Sequence, residues 1–191
     1  MPRHRLMLLF LRDSGLLHPA LRVLHLAPEE GIHPHLKHRQ LYVGADLSAG
    51  PRVDHTFDIQ RVPFPDASFD LVVCSHVLEH VPDDRLAMRE LARVLTGPGR
   101  AVFQHPIDTG AEATAEDPSV VDPDERERLY GQFDHVRLYG RDFAARLEQS
   151  GFRVDRPTYA SGLSRDDHDR FALHDTSPVS MGEIYLGVTA G

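Results

Sequence analysis

Short aliphatic or β-branched runs alternate with helically spaced apolar positions along most of this chain. Arg22 to Leu26, Leu41 to Ala45, His55 to Phe57, Phe69 to Cys74 and Arg100 to Gln104 read as strands, and Phe69 to Cys74 has the near-continuous apolar character of a strand buried on both faces. Between them lie helical patterns. One leads the chain over Arg5 to Leu17, and a short one covers Ile32 to Arg39 with Pro34 in its first turn. A third runs from Asp83 or Asp84 to Leu95, with Leu86, Leu91, Val94 and Leu95 as its apolar stripe and Gly97-Pro98-Gly99 as its stop. A capped helix over Asp142 to Gly151, a strand near Phe152 to Val154 and a final strand over Glu183 to Val188 complete the pattern. Strands alternating with helices predict an α/β fold. The expectation is a single Rossmann-like domain over 1–191, with a mostly parallel seven-stranded sheet, an antiparallel last strand and helices on both faces.

Two stretches break the rhythm. Residues 106–140 are rich in Asp, Glu, Pro and Gly with one helical turn near Glu125 to Tyr130, and 160–182 are polar and loop-like. Insertions of that length in a small domain are functional or disordered. Here 106–140 is expected to cover an acceptor pocket, and either stretch is a candidate homodimer contact.

Composition narrows the function classes. With 191 residues the chain suits one domain with a proper core, and no apolar run approaches the ~20 residues of a membrane span. Leu6 to Leu11 is too short for a signal-peptide core, so the expected location is cytoplasmic. A formal net charge of -8 with scattered Lys and Arg argues against nucleic acid as a partner. Cys74 is the only cysteine and sits in an apolar run, which suits a buried, inert thiol.

In an open α/β sheet, ligands bind outside the carboxyl ends of the strands, at the switch in strand order. This chain places there His25 to Gly31 after the first strand, Asp46 with Leu47 after the second, Asp58 and Ile59 after the third, Ser75 and His76 after the fourth, and His105 after the fifth. Asp46 suits two vicinal ribose hydroxyls, and its bland alternative is a turn aspartate before Leu47-Ser48. Asp58 with Ile59 suits an adenine amino group and the face of its ring.

Val23-Leu-His-Leu-Ala-Pro-Glu29, Tyr42-Val-Gly-Ala-Asp46, Phe64-Pro-Asp-Ala-Ser-Phe-Asp-Leu-Val72, His76-Val-Leu-Glu-His80 and the Leu86 to Gly99 helix together resemble class I S-adenosylmethionine-dependent methyltransferases, in particular the small bacterial type-11 group. The resemblance is strong over roughly residues 20–107 and weaker over 126–153. It implies S-adenosylmethionine as cofactor, held by His25, Ala27, Pro28, Glu29, Asp46, Leu47, Asp58, Ile59, Ser75 and His76, and transfer of its methyl to an O or N nucleophile of a small molecule. The first loop departs from the family's glycine-rich pattern: it has one glycine and a proline. Ala27 stands where the family has a glycine, and Glu29 or Glu30 is the candidate partner of the cofactor's ammonium; their alternative is a solvated helix start.

Thirteen histidines invite a metal reading. His76-Val-Leu-Glu-His80 fits H-x-x-E-H, a zinc-hydrolase signature in another fold, but Val81-Pro82 follows at once and the motif lies in a strand-to-helix turn. His33, His35 and His38 do not share one helix face. No metal is therefore expected. The candidate base for an acceptor that must lose a proton is His105, or His135 with Asp134 fixing its tautomer, and Tyr130 and Tyr139 are candidate acceptor-pocket walls. Two further readings stand beside the enzyme: a degenerate methyltransferase fold acting as a binding or regulatory protein, and a metal hydrolase.

Overall fold

The computed structural model describes residues 2–155, 159–173 and 183–190. In chain order the elements are α1 (Pro2–Asp13), β1 (Arg22–Leu26), α2 (His33–Leu36), β2 (Leu41–Asp46), β3 (His55–Thr56), β4 (Phe69–Ser75), α3 (Asp84–Val94), β5 (Leu95–Gln104), β6 (Ala115–Glu116), α4 (Pro123–Tyr130), β7 (Arg137–Leu138), α5 (Phe143–Gln149), β8 (Phe152–Asp155), α6 (Tyr159–Gly162), α7 (Arg165–Phe171) and β9 (Tyr185–Thr189). Seven strands form one sheet in the order β3-β2-β1-β4-β5-β9-β8, while β6 and β7 pair separately. The first five strands of that order run parallel, and β9 lies antiparallel between β5 and β8. The order reverses between β1 and β4, which opens a crevice at their carboxyl ends.

Alternation along the central strands divides the core between the two faces. Leu24, Leu26, Val72, Cys74, Ala101 and Phe103 pack with Met88 and Leu91 of α3 and with Phe143 of α5. Val23, Leu71, Val73 and Val102 face the other way, onto Leu6, Met7 and Phe10 of α1. A period of two with both sets apolar gives the continuous hydrophobic run seen in β4.

Three boundaries differ from the sequence expectation. Leu95 caps α3 and at once begins β5, so Gly97-Pro98-Gly99 lies inside a strand rather than after a helix; the β4–β5 pairing absorbs it with a register shift between Phe69 and Leu71. Asp142 precedes α5 without capping it, because its carboxylate accepts the Thr114 hydroxyl at 2.7 Å. The supposed loop after residue 160 contains α7, capped by Ser164 and burying none of its residues, so no apolar stripe announces it. Residues 174–182 of that stretch lie outside the described residues. Among the described residues no helix is long and apolar enough to cross a membrane.

Candidate functional site

A cleft of about 410 Å³ opens at the carboxyl ends of β1 to β4, lined by Ala27, Asp46, Leu47, Asp58, Ile59 and His76 with Gln60, His80 and Asp134 beside them. Each strand delivers its side chain by ending there. Asp46 closes β2, and among the described residues its carboxylate accepts only the Ser48 amide, at 3.4 Å, so it is open to a ligand's hydroxyls. Asp58 is more committed: its two oxygens accept the Gln60 backbone and side-chain amides at 2.9 to 3.1 Å, and the Gln60 carbonyl in turn accepts the Asp83 amide. Ile59 is 7% exposed and supplies an apolar wall.

The first loop is braced from within. Ala27 takes the left-handed conformation, with φ 45°, which favours glycine, so the backbone does turn there as the sequence reading of Ala27 requires. His25 is fully buried; its Nε2–H donates to Glu29 at 2.8 Å, and the Tyr42 hydroxyl donates to its Nδ1 at 3.1 Å. Arg52 clamps the Pro28 carbonyl at 2.8 Å. Consequently His25, Pro28, Glu29 and Ser75 stand behind the cleft rather than on its wall. Burial pushes the Glu29 carboxyl up, but the hydrogen bond and charge of His25 outweigh it and hold it below the usual range. One Glu29 oxygen, the Ser75 hydroxyl and His76 Nε2 are buried without a hydrogen bond. Polar atoms in that condition suit a ligand with an ammonium or carboxylate end.

On the opposite wall a single-turn 3₁₀ helix, Leu78–His80, follows His76, whose φ is 53°. It drives Glu79 inward to 1% exposure. The His105 Nδ1–H donates to Glu79 Oε2 at 2.7 Å, and His76 Nδ1 lies 3.2 Å from Oε1. Burial raises the Glu79 carboxyl, yet these imidazoles, His105 foremost, reverse the direction and keep it well below the carboxylate range. His80 and His135 meet edge to face, with ring centroids 4.7 Å apart.

The candidate catalytic residues are placed differently from the sequence reading. His105 is fully buried against Tyr139 and Phe143 and is not among the residues lining the cleft; its Nδ1–H is given to Glu79. Asp134 does line the cleft, but it lies 3.3 Å from His80 rather than fixing the tautomer of His135. The His135 Nδ1–H donates instead to the Tyr130 carbonyl at 3.0 Å, and desolvation lowers its pKa. Tyr130 and Tyr139 are buried structural residues, their hydroxyls meeting the Asp117 amide and the Asp84 carboxylate.

Residues 106–140 are fastened to this wall by a side chain the sequence reading overlooked. Arg137, 3% exposed, donates to the carbonyls of Leu78, Val81 and Pro82 and to Glu116. The Val136 amide adds a bond to the Glu79 carbonyl at 2.9 Å. Arg146 holds Asp84 at 2.9 Å and Glu116 at 3.0 Å, completing an ion network that is buried at Asp84 and Tyr139 and open to solvent at Glu116. Nothing in the local sequence marks Arg137, since its backbone partners lie more than fifty residues away and Glu116 more than twenty. Glu79 was visible within H-x-x-E-H, but only its environment shows its role as the centre of the wall.

The family described as "Methyltransferase domain" matches residues 31–103. A curated relative, the uncharacterized methyltransferase YcgJ of Bacillus subtilis, is 49% identical over 41 residues, or 22% of this chain and 16% of that protein. The 27-O-demethylrifamycin SV methyltransferase of Amycolatopsis mediterranei is 41% identical over 63 residues, or 31% of this chain and 23% of the relative. The match thus spans less than a quarter of either relative's length. The crystal structure of the B. subtilis YcgJ protein superposes with a TM-score of 0.63 at 18% identity, covering 98% of this chain and 99% of that one. The reversed strand order, the crevice at the strand ends and the superposition agree on the fold: the chain folds as the YcgJ protein does, and its residues 31–103 resemble the methyltransferase-domain family.

Proposed function

We propose that this protein is an S-adenosylmethionine-dependent methyltransferase acting on an O or N nucleophile of a small molecule. The observation that carries the reading is the cleft at the strand-order switch, with the open Asp46 carboxylate at the end of β2 and Ile59 on its wall. Its volume of about 410 Å³ falls within the usual range for a small-molecule site. Bound S-adenosylmethionine supplies an electrophilic sulfonium methyl. Asp46 accepts the ribose hydroxyls, Ile59 covers the adenine, and Asp58 with Gln60 faces its edge. His76, on the cleft wall, offers its unpaired Nε2 to the amino-acid end. What the protein must then do is hold a nucleophile in line with the methyl carbon and exclude water. Residues 106–140 are proposed to frame that acceptor, with Asp134 and His80 as the groups at the cleft nearest to it. An O-methylated acceptor has a precedent in the Amycolatopsis relative, whose name gives it a demethylrifamycin.

One observation favours a second reading, a binding or regulatory protein without catalysis. His25 and Glu29 are paired with each other, which occupies groups the first loop would otherwise present. Calorimetry with S-adenosylmethionine and its demethylated product separates the two. Saturable binding that weakens about 10–100-fold in Asp46→Ala, the loss expected for one or two hydrogen bonds to a charged group, supports the enzyme. No heat and no thermal shift at millimolar cofactor would sink it.

A further inference from the structure

We propose that Glu79, His80 and His135 bind a divalent first-row transition-metal ion on the wall of the cleft. Each side chain offers one ligand atom, and the three atoms lie within 4.8 Å of one another. Two imidazoles and a carboxylate suit zinc, iron or cobalt better than magnesium or calcium, which prefer all-oxygen shells.

The surrounding hydrogen bonds have the form that orients metal ligands. His135 gives its Nδ1–H to the Tyr130 carbonyl, which leaves Nε2 as the nitrogen with a lone pair. Glu79 receives the His105 Nδ1–H on Oε2, which leaves Oε1 for a cation. That oxygen is buried and accepts no hydrogen bond, although His76 Nδ1 stands 3.2 Å away. A hub built only for packing would not leave a buried carboxylate oxygen without a hydrogen bond among four imidazoles.

Metal–ligand bonds of about 2.0–2.2 Å require the donor atoms to approach by roughly 1.5 Å. His80 can make that movement, since it is about one-third exposed, whereas Arg137 fixes the backbone beneath it through the carbonyls of Leu78, Val81 and Pro82. Asp134, 3.3 Å from His80 Nδ1, is placed either to join the ion or to orient that ring. Both His80 and Asp134 line the cleft, so the ion's remaining positions face it and take water or another oxygen ligand. Metal binding here does not depend on methyl transfer, and its test reads the metal alone.

Tag-free protein is stripped with a chelator, titrated with Co²⁺ and followed by visible d–d absorption, with zinc content measured after reconstitution. The expected result is one equivalent of metal bound. His80→Asn and His135→Asn should each weaken it by at least about 100-fold, because even the loss of an outer-shell partner costs about 10–100-fold. The exposed pair His35→Asn/His38→Asn should bind as the parent does. If His135→Asn fails to fold, His80→Asn decides, its fold checked by circular dichroism. Absence of stoichiometric cobalt and zinc, or binding that survives His80→Asn, would overturn the proposal.

Discussion

Replacing Arg137 with alanine tests whether residues 106–140 are part of the site's wall or merely lie against it. The guanidinium is nearly inaccessible and satisfies the carbonyls of Leu78, Val81 and Pro82, with Glu116 on its remaining side. Hydrogen bonds to a charged group contribute about 1.5–3 kcal/mol each, and a buried acceptor stripped of its donor costs about 1–3 kcal/mol. Three such carbonyls would sum to more than that, but water can enter the space left by the side chain. Asp84 and Glu116 also keep Arg146, so no carboxylate is orphaned. A loss of about 3–5 kcal/mol follows, the range for breaking a buried charged contact from one side. For a chain of this size it corresponds to a fall in melting temperature of about 6–20 °C. Urea denaturation followed by far-ultraviolet circular dichroism measures it directly. Arg137→Lys should recover only part of the loss, because a point charge cannot span several carbonyls as the planar fork does. Combining Arg137→Ala with Arg146→Ala should be non-additive, since the two share Asp84 and Glu116. An Arg137→Ala loss below about 1 kcal/mol would refute the clamp.

Two further tests bear on the fold and its charges. A Cβ on Gly44 would lie 2.3 Å from the Arg52 carbonyl oxygen and 3.1 Å from Pro28, so Gly44→Ala should push β2 away from the first loop, costing about 1–3 kcal/mol in a denaturant titration; an unchanged midpoint would show that the strand yields freely. Glu79, Asp84 and Glu116 all have pKa values lowered in the fold, against the effect of burial, by His105 and His76 for the first and by Arg146 and Arg137 for the others. Unfolding therefore takes up protons in acid, and their stabilisation is present above their ordinary pKa values and lost as pH falls from about 4.5 downward. His135, lowered by desolvation, adds a loss that begins below about pH 6.5. Urea midpoints from pH 7 to 3 should fall accordingly, and Glu79→Gln should flatten the curve below pH 4.5; a parent-like slope in that variant would contradict the assignment.

Much of the sheet was legible because its central strands are buried on both faces, which leaves short apolar runs bounded by polar strand ends. The placement of Asp46 followed from that, since a strand's end fixes where its last side chain goes. Helix α7 was not legible, because no residue of it is fully buried and Phe171 is its one apolar residue packed against the core, too little for a hydrophobic period. The Gly97-Pro98-Gly99 stop misled because a register shift lets the strand pass through it. Adjacency in sequence also misled: Asp134 and His135 are neighbours along the chain, yet one side chain meets His80 and the other the Tyr130 carbonyl. By contrast, the His25–Glu29 pair was within reach of a spacing argument, since four residues across a tight loop bring imidazole to carboxylate.

The placement of Arg137 divides residues 106–140 into parts with different freedoms. From Asp134 to Tyr139 the chain is bonded to the 78–82 turn, to Asp84 and to the Glu79 backbone, so a shift there moves Glu79 and His80 with it. Between Asp117 and Gln132 the contacts are more local: short turns, the small helix α4 and the Tyr130 hydroxyl on Asp117. Function-bearing loops combine a variable tip with a fixed base on the scaffold. On the methyl-transfer reading, acceptor choice therefore belongs to the tip, where Val121 and Leu129 are exposed, whereas the base sets the position of the cleft's histidines. A change at the tip should alter which molecule is accepted and leave stability nearly intact, while a change at the base should disturb stability and cofactor binding together.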